Sequence, residues 1–292
     1  MGFRTGEVRS EKREACDKAS CASGVRLLKM SGWAPQGCQS VFKPKSLNMR
    51  IATLLFAVLF LLSPTLAVEP EPGFTSLFDG QSFDGWEHKV NWIIEDGAFY
   101  RNKAGGSLTY IKATVPDDFE LRFEWKVSKG CNSGVYYRPA QYEYQVLDNV
   151  HSPYGENPRQ AAGSLFFCMA PSKDATKPFG EWNTGRVKCK GTVIEHWVNG
   201  ERVLSFDYTD PKWAHEVELL RIRGANLAAR GGRLWLQDHG QDVWFRNLRW
   251  RELPEDENLL ADPDFQPLPV TGTALIKEQE RVKRMLETQK PQ

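Results

Sequence analysis

The chain has 292 residues, 41% hydrophobic and 26% charged, an ordinary balance for a soluble globular protein. Its formal net charge of +1 hides an uneven split, because residues 1–67 hold 10 Lys/Arg against 4 Asp/Glu and the remainder carries a net −5. No basic stripe survives in the part expected to fold, which excludes nucleic acid as an expected partner.

Met49-Arg50 opens a segment with the anatomy of a secretory signal: a short basic start, the apolar run Ile51–Leu62, and the small-x-small site Thr65-Leu66-Ala67. The run is shorter than the roughly 20 residues a membrane span needs. Cleavage is expected after Ala67, leaving no stable membrane anchor and a secreted or periplasmic product. A signal beginning at residue 49 makes residues 1–48 an expected over-extension of the reading frame, with translation starting at Met49. Cys131, Cys168 and Cys189 then remain; three is an odd number without zinc-type spacing, and buried free thiols are expected.

From residue 73 the pattern is strands and turns. Phe119, Leu121, Phe123, Trp125 and Val127 alternate with charged residues, a period of two with one dry face and one wet face. Further short runs are predicted as strands: Gly134–Arg138, Tyr142–Leu147, Ser164–Met169, Arg186–Lys190, Val193–Val198, Arg202–Phe206, Glu218–Arg223, Arg233–Gln237 and Val243–Arg251. Asn199-Gly200 between two of them is a strong hairpin signal, since both residues tolerate positive φ. Ten or so short strands over residues 73–252 predict an all-β, two-sheet jelly-roll sandwich. Residues 253–292 read as a Pro-rich linker and a tail. Within the tail, Ala274–Thr288 forms a weak amphipathic helix expected to be solvated or loosely docked. Most of the 10 Trp residues fall in alternating segments, where a core role is the default and sugar stacking the exception.

Four segments concentrate polar groups. At period two, Asn132, Gly134, Tyr136 and Arg138 share a face, and a glycine in that row leaves room for a ligand to approach the backbone. Glu143 and Gln145 project together, and Asp148 joins them if a bulge shifts the register; carboxylates at this spacing suit acid–base work on a glycosidic bond, or equally a solvated edge strand. Trp182 with Asn183 offers a stacking platform beside an amide, or simply a turn. Trp235, Gln237 and His239 share a face, and His239 is the histidine best suited to accept a proton near neutral pH. Phosphate loops, nucleophile elbows, zinc-spaced sets and calcium loops are missing from the sequence, and no cofactor is predicted.

These pieces occur in order with Phe74–Trp86, Ala162-Gly163, Trp197-x-Asn199-Gly200 and Phe245-Arg246-Asn247. As an ordered set across the whole domain, the chain resembles the 3-keto-disaccharide hydrolase domain family. That resemblance implies a concanavalin-like jelly roll, related in architecture to laminin-G domains and β-glucanases, and activity on glycosides oxidised at C3. Glu143-x-Gln145-x-x-Asp148 is similar to the Glu-x-Asp-x-x-Glu signature of one glucanase family. Gln145 and Asp148 replace its second and third acids, which speaks against ordinary double displacement. A 3-keto sugar permits abstraction of the acidified C2 proton and elimination at C1, with water adding afterwards. Glu143 or His239 would be the base, Arg138 and Asn132 the donors to the enolate oxygen, and Asp148 the acid. Gln145, Trp182 and Gln237 would bind sugar. A divalent metal in place of Arg138 stays open as the electrophile, and a non-catalytic carbohydrate-binding module is the alternative reading. N-terminal sequencing of the exported protein is expected to begin at Val68; a mature start upstream of residue 49 contradicts the export reading.

Overall fold

The computed structural model describes residues 71–289, so the expected extension 1–48 and the signal segment 49–67 lie outside the described residues. Eight strands come first: β1 (Thr75–Ser76), β2 (Trp86–Glu87), β3 (Trp92–Glu95), β4 (Ala98–Arg101), β5 (Leu108–Tyr110), β6 (Phe119–Val127), β7 (Asn132–Arg138) and β8 (Tyr142–Leu147). After a long loop follow β9 (Asn183–Lys190), β10 (Val193–Val198), β11 (Glu201–Asp207), helix α1 (Ala214–Ile222), β12 (Trp235–Leu236), β13 (Val243–Glu252) and helix α2 (Gly272–Thr288).

All pairings are antiparallel. One sheet runs β11-β10-β9-β6-β13-β4-β3 with β1 also on β13, and the other runs β2-β5-β12-β7-β8. Face to face they make a jelly-roll sandwich. Side chains from both sheets meet between them: Phe123 packs edge-on to Tyr144 at 5.1 Å, Tyr110 to Trp250 at 5.5 Å, and Phe119 lies 5.9 Å from Tyr137. Each such side chain, fully buried, contributes about 1.5–3 kcal/mol of transfer free energy. The alternation predicted along β6 is observed, its five apolar residues all being in the core. In β13 a register shift between Arg246 and Arg249 lets Val243 and Phe245, then Leu248 and Trp250, all face inward. The predicted hairpin joins β10 to β11, with Asn199 and Gly200 at φ 50° and 83°. Cys131, Cys168 and Cys189 are free and buried, and burial pushes the Cys131 thiol up to about 12.

Three predicted strands take other forms. Glu218–Arg223 belongs instead to α1 and its C-terminal cap. Asp210 accepts from Lys212 N and Pro211 fixes the entry, so Trp213, Val217 and Leu220 recur at helical spacing against the core. Ser164–Met169 is a loop lying along the open edge of β8, tied to it by Gln145 N to Ser164 O and Phe166 N to Glu143 O. Arg233–Gln237 contracts to the two residues of β12. The tail also differs from its expectation: α2 is docked, with Glu278 buried beneath it.

His196 of β10 sits wholly inside the sandwich, where Nδ1 donates to Gly163 O at 3.0 Å. A carbonyl can only accept, so Nε2 carries the lone pair that takes the Tyr137 hydroxyl at 2.9 Å. Burial lowers its pKa to about 4, only partly offset by the carbonyl bond. The unfolded chain therefore binds a proton that the folded chain refuses between pH 6.5 and 4. Stability attributable to His196 is full above pH 6.5 and falls by about 3 kcal/mol on acidification through that window. Urea titrations should show that loss, and His196→Gln should flatten it; an unchanged slope in the variant counts against this assignment.

Candidate active site

Strand β8 divides two kinds of chemistry. Tyr142 and Tyr144 enter the core, so Glu143 and Gln145 face away from the sandwich. Opposite them on β7 stand Tyr136 and Gly134. Gly134 has no side chain, and a Cβ there would run into the Glu143 carboxylate, which lies directly over the backbone. Beyond β7, Trp235 of β12 pairs with Tyr136 and stacks on its ring at 3.5 Å.

The centre of this face is the Glu143 carboxylate, 1% exposed. Its Oε2 accepts from the Tyr136 hydroxyl at 2.6 Å and from Arg223 Nη2 at 2.7 Å. Both bonds fall on one oxygen, and Oε1 takes none from the described residues. Burial raises the Glu143 pKa, opposed by the Arg223 charge, the Tyr136 and Arg223 hydrogen bonds and the charge of His239. Arg223 is itself fixed, donating to Gln141 O and Phe166 O at 3.3 Å and lying 4.3 Å over the Phe166 ring.

Amides complete the face. Gln237 Nε2 reaches the Tyr136 hydroxyl at 3.4 Å, and Gln145 Nε2 donates to Asn132 Oδ1 at 3.0 Å. The Oε1 atoms of Gln145 and Gln237 are buried without a partner among the described residues. His239, exposed on the loop after β12, stands edge-on to Tyr154 at 5.8 Å. Among the described residues no three His, Cys, Asp or Glu side chains converge as a metal-binding group.

Of the eight residues expected at the site, Asn132, Glu143, Gln145 and Gln237 share this face and His239 stands at its rim. Arg138 does not join them. A bulge between Tyr136 and Arg138 sends Tyr137 and Arg138 both inward, so that Arg138 pairs across from core Tyr142. There it donates to Asp117 O at 2.6 Å, with its guanidinium 5.8 Å from the Phe119 and Tyr142 rings. Asp148 is held in the turn after β8 by Gly130 N, Val150 N, His151 N and His151 Nδ1. Burial would raise its pKa, but these donors outweigh it and the net shift is downward, the wrong direction for an acid that must hold a proton. Trp182 lies on the outer face of the other sheet, beneath Arg246 at 3.9 Å and Lys126 at 5.2 Å.

Sequence reasoning missed Arg223, because it was placed in a strand; the helical spacing of Trp213, Val217 and Leu220, followed by Arg223-Gly224, is the signal that marks it. It also passed over Asp238. That buried carboxylate accepts from Arg101 Nε at 2.6 Å, from Asn91 and from the Gly105, Gly106 and Gly240 amides. Arg101 and Asp238 side chains are 4% and 8% exposed, so Asp238→Ala strands a buried guanidinium. The variant is expected to lose about 3–5 kcal/mol in a denaturant titration. A loss under 1 kcal/mol contradicts Asp238 as the anchor of the loop that carries His239.

The profile of the 3-keto-alpha-glucoside-1,2-lyase-like domain matches residues 73–251. A 3-keto-disaccharide hydrolase of Bacteroides thetaiotaomicron is 34% identical over 231 residues, covering 62% of this chain and 79% of that protein. Two solved structures from Parabacteroides distasonis, of proteins classed as glycosyl hydrolases, each cover 62% of this chain. One is 28% identical with a TM-score of 0.54 over 94% of its length, the other 26% identical with 0.50 over 99%. The chain belongs to the 3-keto-alpha-glucoside-1,2-lyase-like domain family.

Proposed function

We propose that this chain, as a hydrolase-like glycosidase, cleaves 3-keto-glycosides by proton abstraction at C2, with Glu143 as the base. The observation that carries this reading is the buried Glu143 carboxylate, whose Oε2 is held by Tyr136 and Arg223 while Oε1 is left over the glycine backbone. A carboxylate raised above its ordinary range is a better proton acceptor near neutral pH.

The C2 proton passes to Glu143 Oε1, and the C2–H electron pair delocalises into the C3 carbonyl as an enolate. Its collapse forms the C1=C2 bond as the C1–O bond breaks, and the leaving oxygen takes a proton from His239 or from water. Addition of water across the resulting enone puts hydroxyl on C1 and a proton on C2, which gives net hydrolysis; release before addition gives the lyase outcome. The enolate oxygen needs donors, and the Asn132 and Gln237 amides supply them where Arg138 cannot. Each preorganised donor of this kind is worth about 3–4 kcal/mol. Gln145 Oε1 and Gln237 Oε1 are the acceptors available to sugar hydroxyls. Export through Met49–Ala67 would put this activity in the periplasm or outside the cell.

The test is incubation with 3-keto-trehalose and with a 3-keto-glucoside, following released aglycone. Glu143→Gln is expected to cut kcat at least ~100-fold in a chain that still folds by circular dichroism, in line with general-base contributions. Binding without turnover by the unaltered protein would instead identify a carbohydrate-binding module, and full activity in Glu143→Gln would remove Glu143 from the mechanism.

A further inference from the structure

Helix α2 lies beyond the region that matches the family profile, yet its contacts converge on the loop and helix that frame Glu143. Glu278, at 3% exposed, faces inward from α2. Its Oε2 accepts from Asn157 Nδ2 and its Oε1 from Arg159 Nη1, each at 2.7 Å. Arg159 spends its other donors on Cys168 O at 3.1 Å and on Glu216 of α1 at 2.8 Å. The Arg159 carbonyl accepts from Phe167 N at 2.7 Å, so the residue clamps both ends of its own loop. Further out, Lys277 pairs with exposed Glu156, and Gln289 donates to Ile222 O at the end of α1.

The relay then closes on the site. Phe166, next to the clamped Phe167, donates its N–H to Glu143 O and accepts Arg223 Nη1 on its own carbonyl. Arg223 follows directly after α1, the helix that Glu216 ties to Arg159. One α2 residue thus fixes both neighbours of the Arg223 guanidinium, its loop and its helix. Arg281, one turn beyond Glu278, lies over the Phe166 and Phe167 rings at 5.6 and 4.7 Å.

We propose that α2 completes the active site, with Glu278 and Arg159 as positioning residues that hold Arg223 against the Glu143 carboxylate. The consequence for rate rests on Glu143 being the base, whereas the positioning itself does not. The groups facing Glu143 are Tyr136 from β7, Arg223 from the end of α1, His239 from the loop after β12 and Arg281 from α2. Arg223 is the largest of the influences that oppose burial at Glu143. Loosening it leaves the carboxylate buried with less compensation, so the proton is held to higher pH.

The experiment uses the full exported chain and reads Glu143 in two ways. One is the pH profile of kcat/KM on 3-keto-trehalose. The other is the protonated-carboxyl band in difference infrared spectra without substrate, assigned by its absence in Glu143→Gln. In Glu278→Gln the band's titration and the acid limb of the profile are both expected to move up by about one pH unit, the scale of a displaced neighbouring charge. Lys277→Ala, which breaks only the exposed pair, is expected to leave both where they are. Should Glu278→Gln melt below the assay temperature, Arg159→Met carries the same test with the same expected direction. A folded Glu278→Gln or Arg159→Met with an unshifted infrared titration overturns the proposal. If the unaltered protein does not cleave 3-keto-trehalose, the catalytic reading falls while the infrared arm still decides the positioning.

Discussion

A carboxylate almost closed to water is expensive unless something holds it, and at Glu143 the holding is done by one guanidinium and one hydroxyl. Much of the surrounding architecture serves that arrangement. Glycine at 134 gives the carboxylate its floor, the Trp235 ring stacks on Tyr136, and the loop on the open edge of β8 supplies the carbonyl that orients Arg223. The sandwich beneath is packed by other side chains. Its core lies between the two sheets, and Glu143 stands outside it on the same strand that sends Tyr142 and Tyr144 inward.

The fold was legible because period two is a strong signal when repeated. Phe119 to Val127 could hardly be anything but a half-wet strand, and Asn199-Gly200 marked its hairpin through the positive φ that both residues adopt. The failures fall where period two misleads. Glu218 to Arg223 alternates well enough over six residues, but Trp213, Val217 and Leu220 supply the longer helical spacing that wins once packed on the core. Half of the candidate site was visible for the same reason as the fold, since Asn132, Glu143, Gln145 and Gln237 sit on strand faces or just beyond them. Arg138 was misplaced because a bulge cannot be seen in a sequence whose residues on either side are all plausible on either face. Asp148 looked like a spare acid, but three donors in its own turn and the Gly130 amide from the turn before β7 had already claimed it.

The residues that reading missed have something in common: they act across long separations in the chain. Arg223 meets Glu143 from 80 positions away, Asp238 meets Arg101 from 137, and Glu278 meets Arg159 from 119. Local spacing holds no trace of such pairs. They also show that the part of this chain matching its family is not closed on itself, because α2 buries a carboxylate against the loop beside the site. A domain boundary drawn at residue 252 cuts through a hydrogen-bonded network.

Gly134 has one more consequence. With the peptide plane beneath it and Oε2 pinned on one side, the Glu143 side chain has surrendered most of its rotational freedom before any ligand arrives. With Glu143 as the proposed base, the entropy of aiming the carboxylate would be lost once, during folding, and not again in each turnover. A side chain at 134 would collide with that carboxylate and push it off its aim, a cost to the proposed reaction as well as to the fold.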